Sequence, residues 1–232
     1  MSRIILKLSG EALAGPKERG FDEETVRGVA RQVKKLLKKG HEIGIVTGGG
    51  NFWRGRTGNE IDRVKADQIG MLATVMNCIY VSEIFRTEGM KTEVLTPFVC
   101  GSFTKLFSKD TAVRAMKKGR VVFFAGGTGH PFFTTDTGIM LRAAEVEAEV
   151  VLMAKNIDGV YDSDPAVNPD AKRYDVLTID EVIDQRLQAL DLTASIMAKD
   201  NGMTLRVFAL QEEDSIVKAA SGTFNGTTIT AQ

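Results

Sequence analysis

Short runs of hydrophobic residues alternate with longer amphipathic segments along most of the chain. Two of the first runs, "RIILKL" (residues 3–8) and "EIGIVT" (42–47), are rich in Ile, Val and Leu, which is typical of strands buried on both faces. The segment between them (22–40) has hydrophobic residues at helical spacing, with Asp22 as the N-cap and Gly40 as the stop signal. The pattern therefore predicts an α/β fold in which helices cover both faces of a mainly parallel sheet.

The same alternation continues to the end of the chain, and no low-complexity linker or internal repeat interrupts it. We therefore expect one domain over residues 1–232. A segment rich in Gly, Asp and Pro, "KNIDGVYDSDP" (155–165), predicts a hairpin. Further predicted strands are 91–96, 120–125, 149–154, 205–210 and an edge strand at 227–232, and further predicted helices are 62–86, 108–119, 135–144, 179–188, 193–201 and a short helix before the last strand.

Charge and cysteine content argue against several classes of protein. The 30 basic and 30 acidic residues cancel, so the chain has no general attraction to nucleic acid or to an anionic membrane. The apolar runs look shorter than the roughly 20 residues of a membrane span, and no signal-peptide pattern is recognised. The two cysteines, Cys78 and Cys100, lack metal-site spacing, so we expect a reduced, cytoplasmic protein.

Three glycine-rich segments follow three predicted strands: "LSG" (8–10), "TGGGN" (47–51) and "AGGTGHPFFTT" (125–135). Parallel strands would bring these segments to one edge of the sheet, where ligands of open α/β folds bind. Glycine lets backbone N–H groups approach phosphate oxygens closely, and the helix that begins near Thr135 adds its positive dipole end. Neither the P-loop pattern nor the dinucleotide pattern G-x-G-x-x-G fits these segments. The sequence therefore predicts a phosphate site of another kind.

Charged residues next to these segments favour phosphoryl transfer, which depends on positioning and on neutralising the charge of the moving group. Lys7 and Arg54 adjoin the first two segments, and Asp136 follows the third. Lys7 stands among apolar residues at a strand end, where an unpaired ammonium is costly, so we expect it to have a carboxylate partner and a function. Surface ion pairs explain Asp158 and Asp162, in the turn-rich segment, more simply than a ligand does.

Six segments occur in the order seen in the uridylate kinases of bacteria: "KLSGEAL", "TGGGNFWRG", "DQIGMLATVMN", "GTGHPFFTTD", "DGVYDSDP" and "LDLTA". The sequence from Arg3 to about Ile229 therefore resembles the uridylate kinase branch of the amino acid kinase superfamily. The resemblance implies a three-layer αβα sandwich with a central, mainly parallel sheet. It also implies that the acceptor nucleotide binds to the first half (about 1–145) and that ATP binds to the second half (about 146–232).

The resemblance implies transfer of a phosphoryl group from ATP to UMP, with Mg²⁺ carried by ATP and no metal site on the protein. Lys7 would stabilise the transferring group, Asp191 would orient Lys7, and Asp136 would lie at the reaction centre, so these three residues are the implied catalytic set. The implied ATP-binding residues are Lys7, Leu8, Ser9, Gly10, Gly50, Arg54, Lys155, Tyr161 and Asp164. The implied UMP-binding residues are Gly49, Arg54, Asp67, Thr128, Gly129, His130, Pro131, Phe132, Phe133, Thr134 and Thr135. The implied region of activation by GTP comprises Gly15, Pro16, Lys17, Glu18, Arg19 and Gly20.

Some of these implied roles have a clear chemical basis. Arg54 would hold the UMP phosphate, because its planar guanidinium matches the phosphate oxygens. Asp67 would accept hydrogen bonds from the ribose hydroxyls, and Tyr161 would lie beside the adenine. The resemblance further implies a cytoplasmic homohexamer that serves pyrimidine nucleotide biosynthesis, with GTP as an activator and UTP as an inhibitor.

Two positions depart from the family pattern. His130 stands where asparagine is usual, and a contact with the acceptor and a contact between subunits are both open for it. Lys155 stands where some relatives have threonine or asparagine, and Asn156 is an alternative for the same role.

Two other functions compete with a UMP kinase. A carboxylate or carbamate kinase of the same superfamily is one, but Arg54 and Asp67 together fit a phosphate and a diol, and so a nucleotide acceptor. A non-catalytic nucleotide-binding regulator is the other, and the retention of Lys7, Asp136 and Asp191 argues against it.

Overall fold

The computed structural model describes residues 2–53 and 61–232. In these two ranges the chain forms the following strands: β1 (Arg3–Leu8), β2 (Glu42–Thr47), β3 (Thr92–Thr96), β4 (Lys105–Leu106), β5 (Val121–Phe124), β6 (Val150–Lys155), β7 (Val160–Tyr161), β8 (Arg173–Tyr174), β9 (Val176–Thr178), β10 (Leu205–Ala209) and β11 (Gly226–Thr230). The helices are α1 (Gly10–Ala14), α2 (Glu23–Lys38), α3 (Arg63–Thr87), α4 (Lys109–Lys117), α5 (Thr135–Glu145), α6 (Ile179–Asp184), α7 (Leu192–Asp200) and α8 (Ser215–Ser221). A short 3₁₀ helix, Gly15–Lys17, follows α1.

One sheet runs across the molecule in the order β4-β3-β5-β2-β1-β6-β10-β11-β9, while β7 and β8 pair separately. Within the described residues, the neighbouring strands of this sheet are parallel, apart from the antiparallel pair β10 and β11. A parallel arrangement requires each connection to cross over, and helices make most of these crossovers, whereas residues 97–104 join β3 to β4 without a helix. The sheet therefore confirms the predicted α/β class.

The two faces of the sheet carry two separate hydrophobic clusters. Along β1, Ile4, Leu6 and Leu8 belong to the cluster that α2, α3 and α8 cover. Ile5 belongs to the other cluster, which α4, α5, α6 and α7 cover. The split follows from the strand geometry, because successive side chains of a strand point to opposite faces. The result is a three-layer αβα sandwich, as the resemblance implied.

The last strand is not the sheet edge that the sequence predicted. β11 pairs with β10 on one side and with β9 on the other. Ile229 is consequently fully buried. The prediction was wrong because β9 is only three residues long, too short for its hydrophobic pattern to be recognised. The predicted hairpin was also too short, since β7 lies within 155–165 but pairs with β8 beyond that segment.

Side-chain caps begin the helices where the sequence predicted them. Asp22 accepts from the backbone N–H of Thr25 at 3.0 Å at the start of α2, and Ser108 accepts from that of Thr111 at 3.2 Å at the start of α4. α6 is shorter than expected and ends at Asp184, close to Arg186, whose φ of 53° is left-handed and interrupts a helix.

The central helix α3 is long and apolar enough to cross a membrane by length and composition, which the sequence analysis did not anticipate. Half of that stretch is buried inside the protein, and core helices of soluble proteins pass the same test. Its exposed side includes an apolar row that we call the α3 stripe: Ile69, Leu72, Met76 and Ile79. These positions are spaced by three or four residues and so lie on one side of the helix.

Candidate active site

Four neighbouring parallel strands, in the order β5-β2-β1-β6, end at the same edge of the sheet. The three glycine-rich segments follow β1, β2 and β5 at this edge, which confirms that they converge. Their backbone N–H groups are therefore available at one place, at the carboxyl ends of the strands, where open α/β sheets bind ligands.

The first two glycine-rich segments are in direct contact. A Cβ atom on Gly10 would lie 2.6 Å from the backbone nitrogen of Gly50 and 2.6 Å from the Oδ1 atom of Asn51. No side chain fits at that separation, so glycine is required for the two segments to pack together. Ser9 caps α1 by accepting from the Ala12 N–H at 3.1 Å, which fixes the first segment.

Lys7 lies at this edge, on the sheet face that α5 covers, because it alternates with the core residues of β1. Its side chain is 13% exposed and forms an ion pair with Asp136 in the first turn of α5. Thr134 caps that helix by accepting from the N–H groups of Asp136 at 3.0 Å and Thr137 at 3.2 Å. The pair therefore stands at the positive end of the α5 dipole, and the carboxylate partner expected for Lys7 is Asp136.

Asp191 caps α7 and is tied to the same turn of α5. Its carboxylate accepts from the Ala194 N–H at 2.9 Å and from the Thr137 hydroxyl at 3.1 Å, and it also accepts from the Thr134 hydroxyl. The resemblance implied that Asp191 orients Lys7. In this structure Asp136 makes the contact with Lys7, and Asp191 holds the helix turn that carries Asp136.

A cavity of about 390 Å³ opens between the second glycine-rich segment, α3 and the segment after β5. Seven residues implied for UMP binding line it: Gly49, Asp67, Thr128, His130, Phe133, Thr134 and Thr135. The sequence reasoning missed others that also line it, namely Trp53, Ala66, Gly70, Met71, Thr74 and Gly127. Its volume is in the range of small-molecule sites.

Asp67 connects the two walls of this cavity. Its Oδ2 atom accepts from the backbone N–H of Phe132 at 2.7 Å and from Arg63 Nε at 2.8 Å. Phe132 has a left-handed φ of 73°, and the Arg63 guanidinium lies 5.4 Å from its ring centre. The carboxylate therefore already fixes the loop after β5, besides the ribose contact that the resemblance implies. Gly129, Pro131 and Phe132 belong to this loop, but they are not among the cavity-lining residues.

A buried pair of amides holds the second glycine-rich segment. Asn77 Nδ2 donates to the Gly48 carbonyl at 2.6 Å and to Asn51 Oδ1 at 2.7 Å, and Asn51 Nδ2 donates back to Asn77 Oδ1 at 3.1 Å. Asn51 Nδ2 also donates to the Gly20 carbonyl at 2.8 Å. Both side chains are almost fully buried, so these bonds are shielded from water. Sequence reasoning missed Asn77, because the two asparagines are separated by most of α3.

A second cavity, of about 350 Å³, brings together Lys155, Tyr161 and Asp164, three of the residues implied for ATP binding. Residues 185–189, which follow α6, form its opposite wall. The Tyr161 hydroxyl donates to Asp158 at 2.8 Å, and Arg173 donates to Asp158 at 2.7 Å. Burial would raise the pKa of Asp158, but these two hydrogen bonds outweigh it and lower the pKa. Asp158 is thus an ion-pair residue, as expected, and it also holds Tyr161.

Lys155 is partly buried at the end of β6, and its ammonium donates to the Ala189 carbonyl at 2.7 Å. Burial lowers the pKa of Lys155, Asp136 opposes this effect, and Lys7 adds to it. Lys155 therefore lies within the electrostatic field of the Lys7–Asp136 pair. Its neighbour Asn156 is exposed and lines a different cavity.

That third cavity measures about 770 Å³ and is lined by Gly15, Glu18 and Arg19 of the implied GTP region, together with Glu11 and residues 50–53. Part of this segment forms the 3₁₀ helix Gly15–Lys17. It contacts the active-site edge where the Gly20 N–H donates to the Asn51 carbonyl at 3.2 Å. The remaining implied residues, Pro16 and Lys17, are exposed.

The structure says less about two of the residues implied for ligand binding, Leu8 and Arg54. Leu8 has a fully buried side chain, so only its backbone is available to a ligand. Arg54 lies outside the described residues. Among the residues that are described, no group of three or more His, Cys, Asp or Glu side chains is placed to hold a metal ion.

Comparison with known proteins shows the family to which this fold belongs. The sequence model of the Amino acid kinase family matches residues 2–209. The crystal structure of UMP kinase from Bacillus anthracis superposes with a TM-score of 0.95 and 33% identity, over 100% of this chain and 96% of that one. UMP kinase from Ureaplasma parvum superposes with a TM-score of 0.93 and 35% identity, over 99% of this chain and 98% of that one. The chain therefore belongs to the amino acid kinase family and, within it, to the UMP kinases.

Proposed function

We propose that this protein transfers the γ-phosphoryl group of ATP to UMP, giving ADP and UDP. The observation that carries the proposal is the position of the Lys7–Asp136 pair at the edge where two cavities of nucleotide size open. The first cavity is lined by residues of the first half of the chain, and the second by residues of the second half. We therefore assign the acceptor to residues 1–145 and ATP to residues 146–232 of one domain.

UMP occupies the first cavity in this proposal. Asp67 accepts from the ribose, and the loop from Thr128 to Thr135 surrounds the uracil and the phosphate. The backbone of Gly49 and the side chain of Arg54 hold the phosphate, the latter as a planar guanidinium fork. The α5 N-terminus lies at the same end of the cavity and stabilises its negative charge.

ATP occupies the second cavity, with the adenine beside Tyr161 and the phosphates directed to Ser9, Gly10 and Gly50. The contact between Gly10 and Gly50 places two sets of N–H groups side by side for these phosphates. Mg²⁺ keeps several waters and is usually bound by substrate phosphates with one or two carboxylates, so a site without a dedicated carboxylate cage suits it. Asp136 is the carboxylate placed to assist, and the ion neutralises charge on the β- and γ-oxygens when bound.

The chemical step needs no covalent intermediate on the protein. A phosphate oxygen of UMP attacks the γ-phosphorus, a new P–O bond forms, and the bond from the γ-phosphorus to the bridging oxygen of ADP breaks. Lys7 stabilises the negative charge on the oxygens of the moving group. Asp136 fixes the direction of the Lys7 ammonium, and Asp191 fixes the helix turn that carries Asp136.

We further propose a homohexamer in the cytoplasm, with GTP as an activator acting through residues 15–20 and UTP as an inhibitor. The exposed α3 stripe supports self-association, because a contiguous apolar surface is usually covered by a partner. The hydrogen bonds between Gly20 and Asn51 support the effector assignment, since they link residues 15–20 to the phosphate-binding segment.

An acceptor panel tests the proposed reaction. Purified protein is given ATP and Mg²⁺ with UMP, CMP, dUMP, acetylglutamate, aspartate or carbamate, and ADP release is coupled to NADH oxidation. We expect turnover with UMP, weaker turnover with dUMP and CMP, and none with the carboxylates. Turnover with a carboxylate or carbamate alone would assign the acceptor cavity to another substrate, and no turnover at all would favour a nucleotide-binding regulator.

A further inference from the structure

Trp53, the single tryptophan of the chain, connects the second glycine-rich segment to α3. Its backbone N–H donates to the Gly49 carbonyl at 3.0 Å, which keeps it in the turn of that segment. Its indole N–H donates to the Ala66 carbonyl at 2.9 Å, near the start of α3. One residue therefore links the segment that carries Gly49 to the helix turn that carries Asp67.

The indole ring also lies against α3. A Cβ atom on Gly70 would lie 3.7 Å from Trp53 Cδ1, which is van der Waals distance. Ala66 and Gly70 are four residues apart and so share one side of the helix, and both line the acceptor cavity together with Asp67. The hydrogen bond and the ring contact together set the distance between the glycine-rich segment and the helix.

The need of the indole N–H for a partner does not by itself explain the bond to Ala66. Buried tryptophans usually have such a partner, but Trp53 is only half-buried and also borders the third cavity, where water can accept the bond. The bond to Ala66 has an effect that a bond to water lacks, because it fixes the helix next to Asp67. The Phe132 N–H holds the Asp67 carboxylate towards the loop after β5, so Trp53 provides the separate link to the phosphate-binding segment.

We propose that Trp53 is a positioning residue that sets the distance between Asp67 and Gly49, and thereby determines the preference for a ribonucleotide acceptor. This rests on the proposed function and deepens it, because it assigns acceptor specificity to a residue outside the reacting groups. UMP has to reach Asp67 with its ribose and Gly49 with its phosphate at the same time. Since dUMP lacks the 2′-hydroxyl, its binding depends less on where Asp67 lies.

The experiment measures the dissociation constants of UMP and of dUMP by calorimetry, without ATP, for the wild type, Trp53→Phe, Asp67→Asn and the double variant. Phenylalanine keeps an aromatic ring beside Gly70 but has no N–H donor. We expect Trp53→Phe to reduce the preference for UMP over dUMP by about threefold to tenfold, as for residues that are coupled. In the Asp67→Asn background the same change should leave the preference within about twofold, because Trp53 acts through Asp67.

Thr87→Val serves as the control. The Thr87 hydroxyl donates to the Ile84 carbonyl at 2.8 Å, at the other end of the same helix. This variant therefore also removes a side-chain bond to a backbone carbonyl of α3, but far from the acceptor cavity in the sequence of the helix. We expect it to keep the preference of the wild type.

The emission of Trp53 gives a second measurement, which needs no variant. Because it is the only indole of the chain, selective excitation of tryptophan reports on this position alone. We expect UMP to change the emission of the wild type with the dissociation constant found by calorimetry. Binding of UMP without any change in emission would contradict the placement of Trp53 beside the occupied cavity.

Other outcomes would overturn the assignment. Equal losses of UMP and dUMP affinity in Trp53→Phe would place its effect on the phosphate side and not on the ribose. An unchanged preference in Trp53→Phe, or an equal reduction in Thr87→Val, would leave Trp53 as a packing residue. In each of these cases the wild type still binds UMP and the proposed function stands, whereas a wild type that binds neither nucleotide would contradict the proposed function itself.

Discussion

Replacing Asn77 by leucine tests whether the amide pair positions the phosphate-binding segment. The change keeps the number and branching of the side-chain heavy atoms but removes hydrogen bonds of 2.6, 2.7 and 3.1 Å between Asn77 and the second glycine-rich segment. The Gly48 carbonyl and the Asn51 side-chain oxygen each lose a donor in a buried site, at about 1–3 kcal/mol per group. We expect the free energy of unfolding to fall by about 2–6 kcal/mol and Tm by about 4–24 °C.

The same substitution should affect catalysis more than a general loss of stability does. Gly49 and Gly50 follow Gly48 directly, so release of this segment displaces the N–H groups that face the phosphates. A misplacement of about 1 Å typically costs about 10²-fold in rate, and we expect kcat/KM for both substrates to fall by that factor. Thermal denaturation and steady-state kinetics at 20 °C below the variant's Tm give the two quantities.

Ser82→Ala is the matched control for this prediction. Ser82 is a buried polar residue on the same helix, and it donates to the Thr92 hydroxyl at 2.8 Å, away from the glycine-rich segments. Its loss should lower stability by about 1 kcal/mol and leave kcat/KM unchanged. The reasoning would be refuted if Asn77→Leu kept kcat/KM within about threefold of the wild type, or if Ser82→Ala lost as much activity.

Three further predictions follow from single contacts. Gly10→Ala should lower kcat/KM by about 10²-fold, because the added Cβ pushes the first two glycine-rich segments apart. Gly28→Ala on α2, where the added Cβ enters open space, should instead raise the free energy of unfolding by about 0.5–1 kcal/mol in a urea titration. Asp67→Asn should reduce the preference for UMP over dUMP, measured as the ratio of kcat/KM, and an unchanged ratio would remove the ribose contact. Folding lowers the pKa of Lys155 below its ordinary value of 10.5. At a pH between the pKa of the folded protein and that of the unfolded chain, the unfolded chain binds more protons, so the free energy of unfolding of the wild type increases as the pH rises through this range. The stability of Lys155→Met relative to the wild type should therefore be greater at pH 7 than at pH 10, and a pH-independent difference would contradict it.

Much of the fold was predictable because its strands and helices have strong local patterns. "RIILKL" became β1 and "EIGIVT" became β2 with the predicted bounds, since continuous apolar runs between polar turns leave few alternatives. Asp22 and Ser108 predicted helix starts because a cap needs only a local side-chain oxygen. The convergence of the three glycine-rich segments followed from parallel topology alone.

Short elements and long-range partners were not predictable in the same way. β4 and β9 have two and three residues, and their pairing is stabilised by neighbouring strands and not by a pattern of their own. β9 then covers β11, which is why the predicted edge strand is internal. Asn77 gives no sequence signal, because a lone asparagine in an apolar helix does not indicate which distant amide it meets. The sequence also did not indicate that Lys155 and Asn156, which are neighbours in the chain, line different cavities.

The formation of UDP by the wild type and by Lys7→Ala, measured side by side, tests the central claim most directly. Both proteins are incubated with ATP, Mg²⁺ and UMP, UDP is quantified by chromatography, and Tm confirms that both are folded. We predict that UDP forms with the wild type and that kcat falls at least ~10²-fold in Lys7→Ala, while the affinities for both nucleotides stay within a few-fold. Near-normal UDP formation by folded Lys7→Ala would contradict the placement of the reaction at the Lys7–Asp136 pair.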